Sequence, residues 1–127
     1  MCAVLKNAGY KGKYTIIDFP VCHDLQRKYL ENTVGIEKVE FREIDNLDDL
    51  RPDLTVACYS FNEMPLEQRP LIEAVIDRSE MFYIQHNRAF DGIDNYAYFV
   101  EFIKRREHSI TTYDDVNYPN HPVIIGQ

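Results

Sequence analysis

The sequence lacks the features that mark membrane, secreted and metal-bound proteins. No apolar run approaches the ~20 residues that a membrane-spanning helix needs, and the amino terminus has neither the basic region nor the cleavage pattern of a secretory signal. The three cysteines, Cys2, Cys22 and Cys58, are odd in number and have no C-x-x-C spacing. This argues against a disulfide framework and against a zinc site. We therefore expect a cytoplasmic protein with free thiols and no membrane contact.

Basic residues are also few. The chain has 14 Lys and Arg residues against 21 Asp and Glu residues, which gives a formal net charge of −7. Binding to a phosphate backbone depends on Lys and Arg side chains that neutralise phosphates and release counterions. We expect no nucleic-acid partner.

The histidines are dispersed along the chain. No H-x-x-x-H or carboxylate spacing accompanies them, so the sequence predicts no metal site. The run Cys22 to Asp24 contains the residue types of a catalytic triad, but neighbours on a helix do not face one another. We expect surface or turn positions for His23, His108 and His121, and a different role only for His86.

The residues that are present predict one α/β domain. Of the 127 residues, 45% are hydrophobic, and we expect residues 1–127 to form a single domain with its own core. Apolar, β-branched runs predict strands covered on both faces at Tyr14–Ile17, Leu54–Tyr59 and Met81–Ile84. The alternation from Val39 to Ile44 predicts a half-exposed edge strand, and short runs at Ser109–Tyr113 and Val123–Ile125 predict a closing antiparallel pair.

Helical spacing of apolar residues separates these strands. On the helix after the first strand, we expect Leu25, Tyr29 and Leu30 to be its apolar face. The last helix is apolar on a second face, at Tyr98 and Phe102, for which a partner subunit is one candidate. The predicted helices are Met1–Ala8, Val21–Leu30, Pro65–Arg78 and Tyr96–Ile103. Alternating strands and helices predict a mostly parallel open sheet.

Polar side chains follow each of the three covered strands. They are Asp18, the turn Ser60–Glu63, and Gln85–Asn87. Because parallel strands end at the same edge of a sheet, we expect these groups to converge. Asp18 has two possible roles there: it accepts hydrogen bonds from the vicinal hydroxyls of a ribose, or it caps the helix that follows.

Two further polar residues also have two possible roles each. His86 is either a general base toward a hydroxyl or an imidazole that hydrogen-bonds its own loop. Glu63 is either a site carboxylate or an acidic residue in the first turn of a helix around Leu66.

Two segments resemble class I S-adenosylmethionine-dependent methyltransferases. Tyr14–Pro20 (YTIIDFP) is similar to the second strand of the small-molecule O-methyltransferases, in which Asp-Leu-Pro follows the strand and Phe19 replaces the Leu here. Asp53–Met64 (DLTVACYSFNEM) is similar to the fourth strand of sugar O-methyltransferases, which leads into a Ser-x-x-Glu-Met turn. The resemblance covers nearly the whole chain in element order. It implies a truncated Rossmann-like methyltransferase sheet with a C-terminal antiparallel strand pair.

The resemblance also implies a cofactor and its contacts. The cofactor of the family is S-adenosylmethionine, for which Asp18 corresponds to the ribose-binding carboxylate. Asp45 corresponds to a position near the adenine, and Ser60 to Glu63 correspond to the floor near cofactor and substrate. His86 and Glu63 are then the candidate catalytic bases.

One part of the family pattern has no counterpart. The family's first strand and its Gly-rich loop precede the first helix, and the five glycines of this sequence form no G-x-G pattern after a strand. We expect the first strand to be missing, so that Tyr14–Ile17 and Leu54–Tyr59 pair directly and the remaining apolar surface forms a homodimer.

Two functions fit these observations. The first is a domain of methyltransferase type that does not catalyse the reaction alone and acts in binding or assembly as a homo-oligomer. The alternative is an S-adenosylmethionine-dependent O-methyltransferase whose substrate is a small, sugar-like molecule with a hydroxyl acceptor.

Overall fold

The computed structural model describes residues 1–106, 109–113 and 121–127. The chain divides into two units, Met1–Leu47 and Asp48–Gln127. In the first unit, α1 (Cys2–Asn7) precedes β1 (Tyr14–Ile17), α2 (Pro20–Glu31) and β2 (Val39–Arg42). β1 and β2 pair in parallel, from Tyr14 opposite Val39 to Ile17 opposite Arg42. The predicted order helix, strand, helix, strand is confirmed for this unit.

The buried face of α2 differs from the face that its apolar residues predict. His23 and Leu30 are its buried residues, and the Arg27 guanidinium lies 4.4 Å from the centroid of the Phe41 ring on β2. His23 and Leu30 lie on one face because a spacing of seven positions makes about two helical turns. The exposed apolar residues of this helix are Val21, Leu25 and Tyr29, at 76%, 71% and 58% exposure. Leu30 lies on the buried face, as predicted. The predictions that Leu25 and Tyr29 share this apolar face are wrong, because both are exposed.

In its described residues, the second unit contains a four-stranded sheet, a short hairpin and two helices. Its elements are β3 (Leu54–Cys58), α3 (Arg69–Ile76), β4 (Met81–Gln85), β5 (Ala89–Phe90), β6 (Ile93–Asp94), α4 (Asn95–Lys104), β7 (Ile110–Tyr113) and β8 (Val123–Gly126). The strand order is β3-β4-β8-β7. β3 and β4 are parallel, while β8 is antiparallel to both β4 and β7. The predicted mostly parallel α/β fold and its closing antiparallel pair are confirmed.

The expected direct pairing of Tyr14–Ile17 with Leu54–Tyr59 is wrong. β1 and β3 belong to separate sheets of the described chain. Each pairs with the next strand in sequence across a single helix, which is the shortest route to a parallel ladder. β3 is also not covered on both faces, since Leu54 and Val56 are 52% and 37% exposed.

In the second unit, the structure differs from two local predictions. Pro70 lies in the first turn of α3, as a helical proline must, but the helix begins at Arg69 rather than at Pro65. The loop predicted after Asn87 is a two-stranded hairpin of β5 and β6. Asp91 and Gly92 both have positive φ, 47° and 78°, which is the backbone of a two-residue hairpin turn.

Aromatic residues form the core of the second unit. The Phe61 ring packs edge to face against the rings of Phe99 and Phe102, and Phe102 packs in the same way against Phe82 on β4. These four side chains are at most 2% exposed. The second apolar face of α4 contacts α3 of the same chain, because the Tyr98 hydroxyl donates a hydrogen bond to Glu73.

The described part of the chain contains no helix that is long and apolar enough to cross a membrane. The prediction for His108 falls outside the described residues.

Candidate functional site

Asp18 follows β1 directly, and its carboxylate is held in a fixed orientation. Its Oδ1 accepts a hydrogen bond of 2.8 Å from the Phe19 amide, and its Oδ2 accepts one of 2.7 Å from Nε2 of Gln26. Burial and the neighbouring Asp18 carboxylate raise the pKa of the Cys22 thiol. Phe19 is the N-cap residue of α2, and no side chain among the described residues caps that helix. Asp18 therefore does not cap α2, and this alternative for Asp18 is wrong.

Asp18 and the segment after β2 lie at the same edge of the first unit. The Asp18 amide donates to the carbonyl oxygen of Arg42 at 3.2 Å, so β1 and β2 end side by side. A cavity of about 430 Å³ opens at the end of β2. Its lining residues are His23, Phe41, Arg42, Glu43, Asp45 and Asn46. Asp45 therefore lines a cavity together with amide, aromatic and further carboxylate groups.

His23 is the part of this cavity that sequence reasoning missed. The side chain is only 9% exposed, and its ring packs edge to face against Phe41 with 5.5 Å between centroids. Its expected position at the surface or in a turn is therefore wrong. The signal that could have located it is its spacing of seven residues from Leu30, which places both residues on one face of the helix.

The ends of β3 and β4 form a second edge, in the second unit. The Tyr59 amide donates to the Gln85 carbonyl oxygen at 2.8 Å. The side-chain Nδ2 of Asn62 donates to Oδ1 of Asn87 at 2.7 Å. The predicted convergence of Ser60–Glu63 with Gln85–Asn87 is therefore confirmed for these two strands. Asp18 and Asp45 belong to the first unit.

Arg69 is the residue that organises this second edge. Its side chain is completely buried, and its guanidinium donates to the carbonyl oxygens of Met64 and Asn62 and to Oδ1 of Asn95. Burial lowers its pKa. A buried guanidinium that donates to three oxygens fixes the turn after β3, because each lost contact would leave a buried acceptor unpaired.

His86 is buried in the core of the second unit. It is 2% exposed, its ring centroid lies 4.2 Å from that of Phe99, and its Nδ1 lies 3.0 Å from the Asn87 carbonyl oxygen. A carbonyl oxygen can only accept, so Nδ1 carries the proton in this contact. Burial lowers the pKa of His86. These contacts match the loop-bonding role considered for it.

Ser60 and Glu63 are exposed. The Glu63 amide donates to the Tyr59 carbonyl oxygen at 3.1 Å, as part of the turn that follows β3. Because α3 begins at Arg69, the role considered for Glu63 in the first turn of a helix around Leu66 is wrong. In residues 1–106, 109–113 and 121–127, no group of three His, Cys, Asp or Glu side chains is placed to hold a metal ion.

The arrangement of strands and helices is similar to that of several solved structures. An O-methyltransferase family protein from Burkholderia thailandensis superposes with a TM-score of 0.73 and 14% identity, over 99% of this chain and 46% of that one. The S-adenosylmethionine-dependent methyltransferase SibL gives 0.68 and 15%, over 99% and 46%. PigF with SAH gives 0.63 and 12%, over 97% and 45%. This chain has the class I methyltransferase fold.

The chain spans less than half the length of these three methyltransferases. No protein-family model matches the sequence, and no curated protein matches it. At these identities the similarity establishes the methyltransferase fold alone.

Proposed function

We propose that this chain is a ligand-binding domain of methyltransferase type that takes the adenosyl part of S-adenosylmethionine in its first unit. The observation that carries the proposal is the edge formed by β1 and β2, where an oriented Asp18 carboxylate and the cavity beside Asp45 follow adjacent strands. Open α/β sheets bind ligands at this edge.

The Asp18 carboxylate suits a ribose. A carboxylate offers about four lone-pair positions. The Phe19 amide and Gln26 occupy two of them, and the Cys22 thiol also hydrogen-bonds the carboxylate. The acceptor capacity that remains serves the vicinal hydroxyls, whose donors need a fixed acceptor. The two internal hydrogen bonds supply that fixed orientation before the ligand arrives.

The proposed domain does not catalyse methyl transfer by itself. His86 is enclosed by the aromatic core and its loop, so no acceptor hydroxyl can approach its ring. Glu63 is exposed to water, and a general base needs a held position within hydrogen-bond reach of its proton. Neither candidate base has both access and orientation.

The alternative function is catalysis, as an O-methyltransferase acting on a small hydroxyl-bearing substrate. The specific observation in its favour is that the similar structures include an S-adenosylmethionine-dependent methyltransferase and an O-methyltransferase family protein. In this alternative, Glu63 is the accessible base and Ser60 lines the substrate side.

Isothermal titration calorimetry with S-adenosylhomocysteine tests the proposal. We expect binding on the order of micromolar for the wild-type chain and a loss of at least about tenfold for Asp18→Ala, because the ribose hydroxyls lose their acceptor. Asp24→Ala, at an exposed position of the same helix, is the matched control and should bind as the wild type does. Absence of heat at millimolar ligand would contradict the proposal. Turnover of S-adenosylmethionine with a hydroxyl acceptor would establish the alternative.

We also propose that the chain forms a homo-oligomer. The exposed residues Val21, Leu25 and Tyr29 recur every fourth position along α2, which gives one apolar stripe on a helix. Such a stripe is typical of a surface that is covered in an assembly.

A further inference from the structure

The buried imidazole of His23 has a nitrogen without a partner in the first unit. Nε2 is enclosed and makes no hydrogen bond to any described residue, although the side chain lines the cavity at the end of β2. A buried polar atom left unpaired lowers stability, and most such atoms in folded proteins are paired. An imidazole kept in this position at a cost to stability points to a partner that arrives with a ligand.

The other polar groups of the cavity define what that ligand carries. Glu43, Asp45 and Asn46 present carboxylate and amide oxygens, which accept hydrogen bonds from N–H groups. Arg42 is the only cation of the lining, and its guanidinium already contacts Glu40 at 2.6 Å and the Asn46 carbonyl oxygen at 3.2 Å. The carboxylates repel phosphate, so the cavity favours a group that has N–H donors and carries no negative charge.

We propose that His23 is a specificity-determining residue whose Nε2 hydrogen-bonds an amino-substituted heterocyclic base, of the adenine type, held in this cavity. The inference rests on the proposed binding of the adenosyl group. The base lies beside the Phe41 ring, its exocyclic amine donates to the oxygens of Asp45 and Asn46, and its ring edge meets Nε2. A small turn of the imidazole about its Cβ–Cγ bond, which is a soft torsion, exposes the nitrogen to the base.

His23→Phe is the decisive variant because it keeps an aromatic ring against Phe41 and removes only the nitrogens. We expect it to weaken S-adenosylhomocysteine binding about tenfold while the melting temperature stays the same or rises, since the unpaired buried nitrogen is gone. Tyr96→Phe removes a polar atom from an exposed aromatic residue of the second unit and should change neither quantity.

The outcomes separate the inference from the proposed function. Wild-type affinity in a folded His23→Phe variant overturns the inference and leaves the proposed function intact. No binding by the wild-type chain overturns both. AMP should bind at least about tenfold more weakly than adenosine, because the carboxylates repel its phosphate. Equal binding of the two would contradict the inference that the ligand carries no negative charge.

A second measurement uses only the wild-type chain, so it does not depend on the folding of a variant. The ¹⁵N resonances of the His23 imidazole are followed by NMR during titration with S-adenosylhomocysteine. We expect the Nε2 resonance to shift in proportion to the bound fraction. If the Nε2 resonance of the saturated complex equals that of the ligand-free protein, the inference is wrong.

Discussion

At the scale of single residues, Glu73 links the two helices of the second unit. Its carboxylate accepts hydrogen bonds from Tyr98, Arg105 and Arg106. Burial alone would raise the pKa of Glu73, but these three donors outweigh it and lower the pKa below its usual 4.5. The ionised carboxylate is therefore the form that stabilises the fold.

The lowered pKa of Glu73 predicts how the stability of the fold changes at acid pH. A lowered folded-state pKa contributes stability above the unfolded value of about 4.5, and this contribution is lost as the pH falls through the folded-state pKa. We expect Glu73→Gln to lower the free energy of unfolding by about 2 kcal/mol at pH 7, and the difference from the wild type to shrink below pH 4.5. Urea unfolding of both proteins from pH 7 to below pH 4.5 measures this difference in the free energy of unfolding. A difference that stays constant from neutral to acid pH would contradict the assignment, and Glu101→Gln on the exposed side of α4 is the control.

Arg69 gives a second prediction at this scale. Arg69→Met keeps much of the side-chain volume but leaves buried oxygens of Asn62, Met64 and Asn95 without their donor. We expect a loss of about 3 kcal/mol in the free energy of unfolding, measured by denaturant titration. Lys104→Met removes an exposed ion pair with Glu101 and should change stability by less than about 0.5 kcal/mol. Equal effects of the two substitutions would show that the buried guanidinium does not hold the turn after β3.

At the scale of elements, α2 has two faces with different tasks. The face with His23, Gln26 and Leu30 supports β1, β2 and the Asp18 carboxylate, while Val21, Leu25 and Tyr29 point to solvent. This division lets one short helix support the proposed ligand-binding edge on one face and the proposed assembly surface on the other.

The apolar stripe of α2 predicts the effect of a charge on oligomerisation. Leu25→Asp should convert the proposed homo-oligomer into monomers, because it buries an unpaired carboxylate in the interface, and it should leave the melting temperature of the monomer nearly unchanged. Sedimentation velocity measures the mass. Leu66→Asp, at another exposed apolar position, should keep the assembly. If the wild-type chain sediments as a monomer at all concentrations, the proposed assembly is wrong.

The elements also show where sequence patterns succeed and where they fail. The apolar runs of β1, β3 and β4 predicted strands because β-branched and aromatic residues dominate them. The Asp91-Gly92 pair is a strong hairpin signal, yet the strands beside it have only two residues each, too few to show an alternating pattern. For α2, the most apolar face was not the buried one, because the ring of His23 and the guanidinium of Arg27 pack on Phe41 instead.

At the scale of the whole molecule, the element order predicted an α/β open sheet, and the resemblance of Tyr14–Pro20 and Asp53–Met64 to known families predicted the methyltransferase fold. The closing pair of β7 and β8 was predicted correctly, but the partner of β1 was not, because pairing depends on contacts between segments distant in sequence. The same limit applies to the candidate site. Asp18 was predicted from its place after a strand and Asp45 from the family resemblance, whereas the orientation of Asp18 by Gln26 and the burial of His23 and His86 depend on packing.

The most direct test of the account is an amide NMR titration of the full chain with S-adenosylhomocysteine. We predict that the largest chemical-shift changes lie at two places. One is Phe19, whose amide donates a hydrogen bond to Asp18, and the other is residues 42–46 along the cavity after β2. Changes confined to the turn Ser60–Met64, or no changes at saturating ligand, would contradict the claim that the first unit holds the adenosyl group.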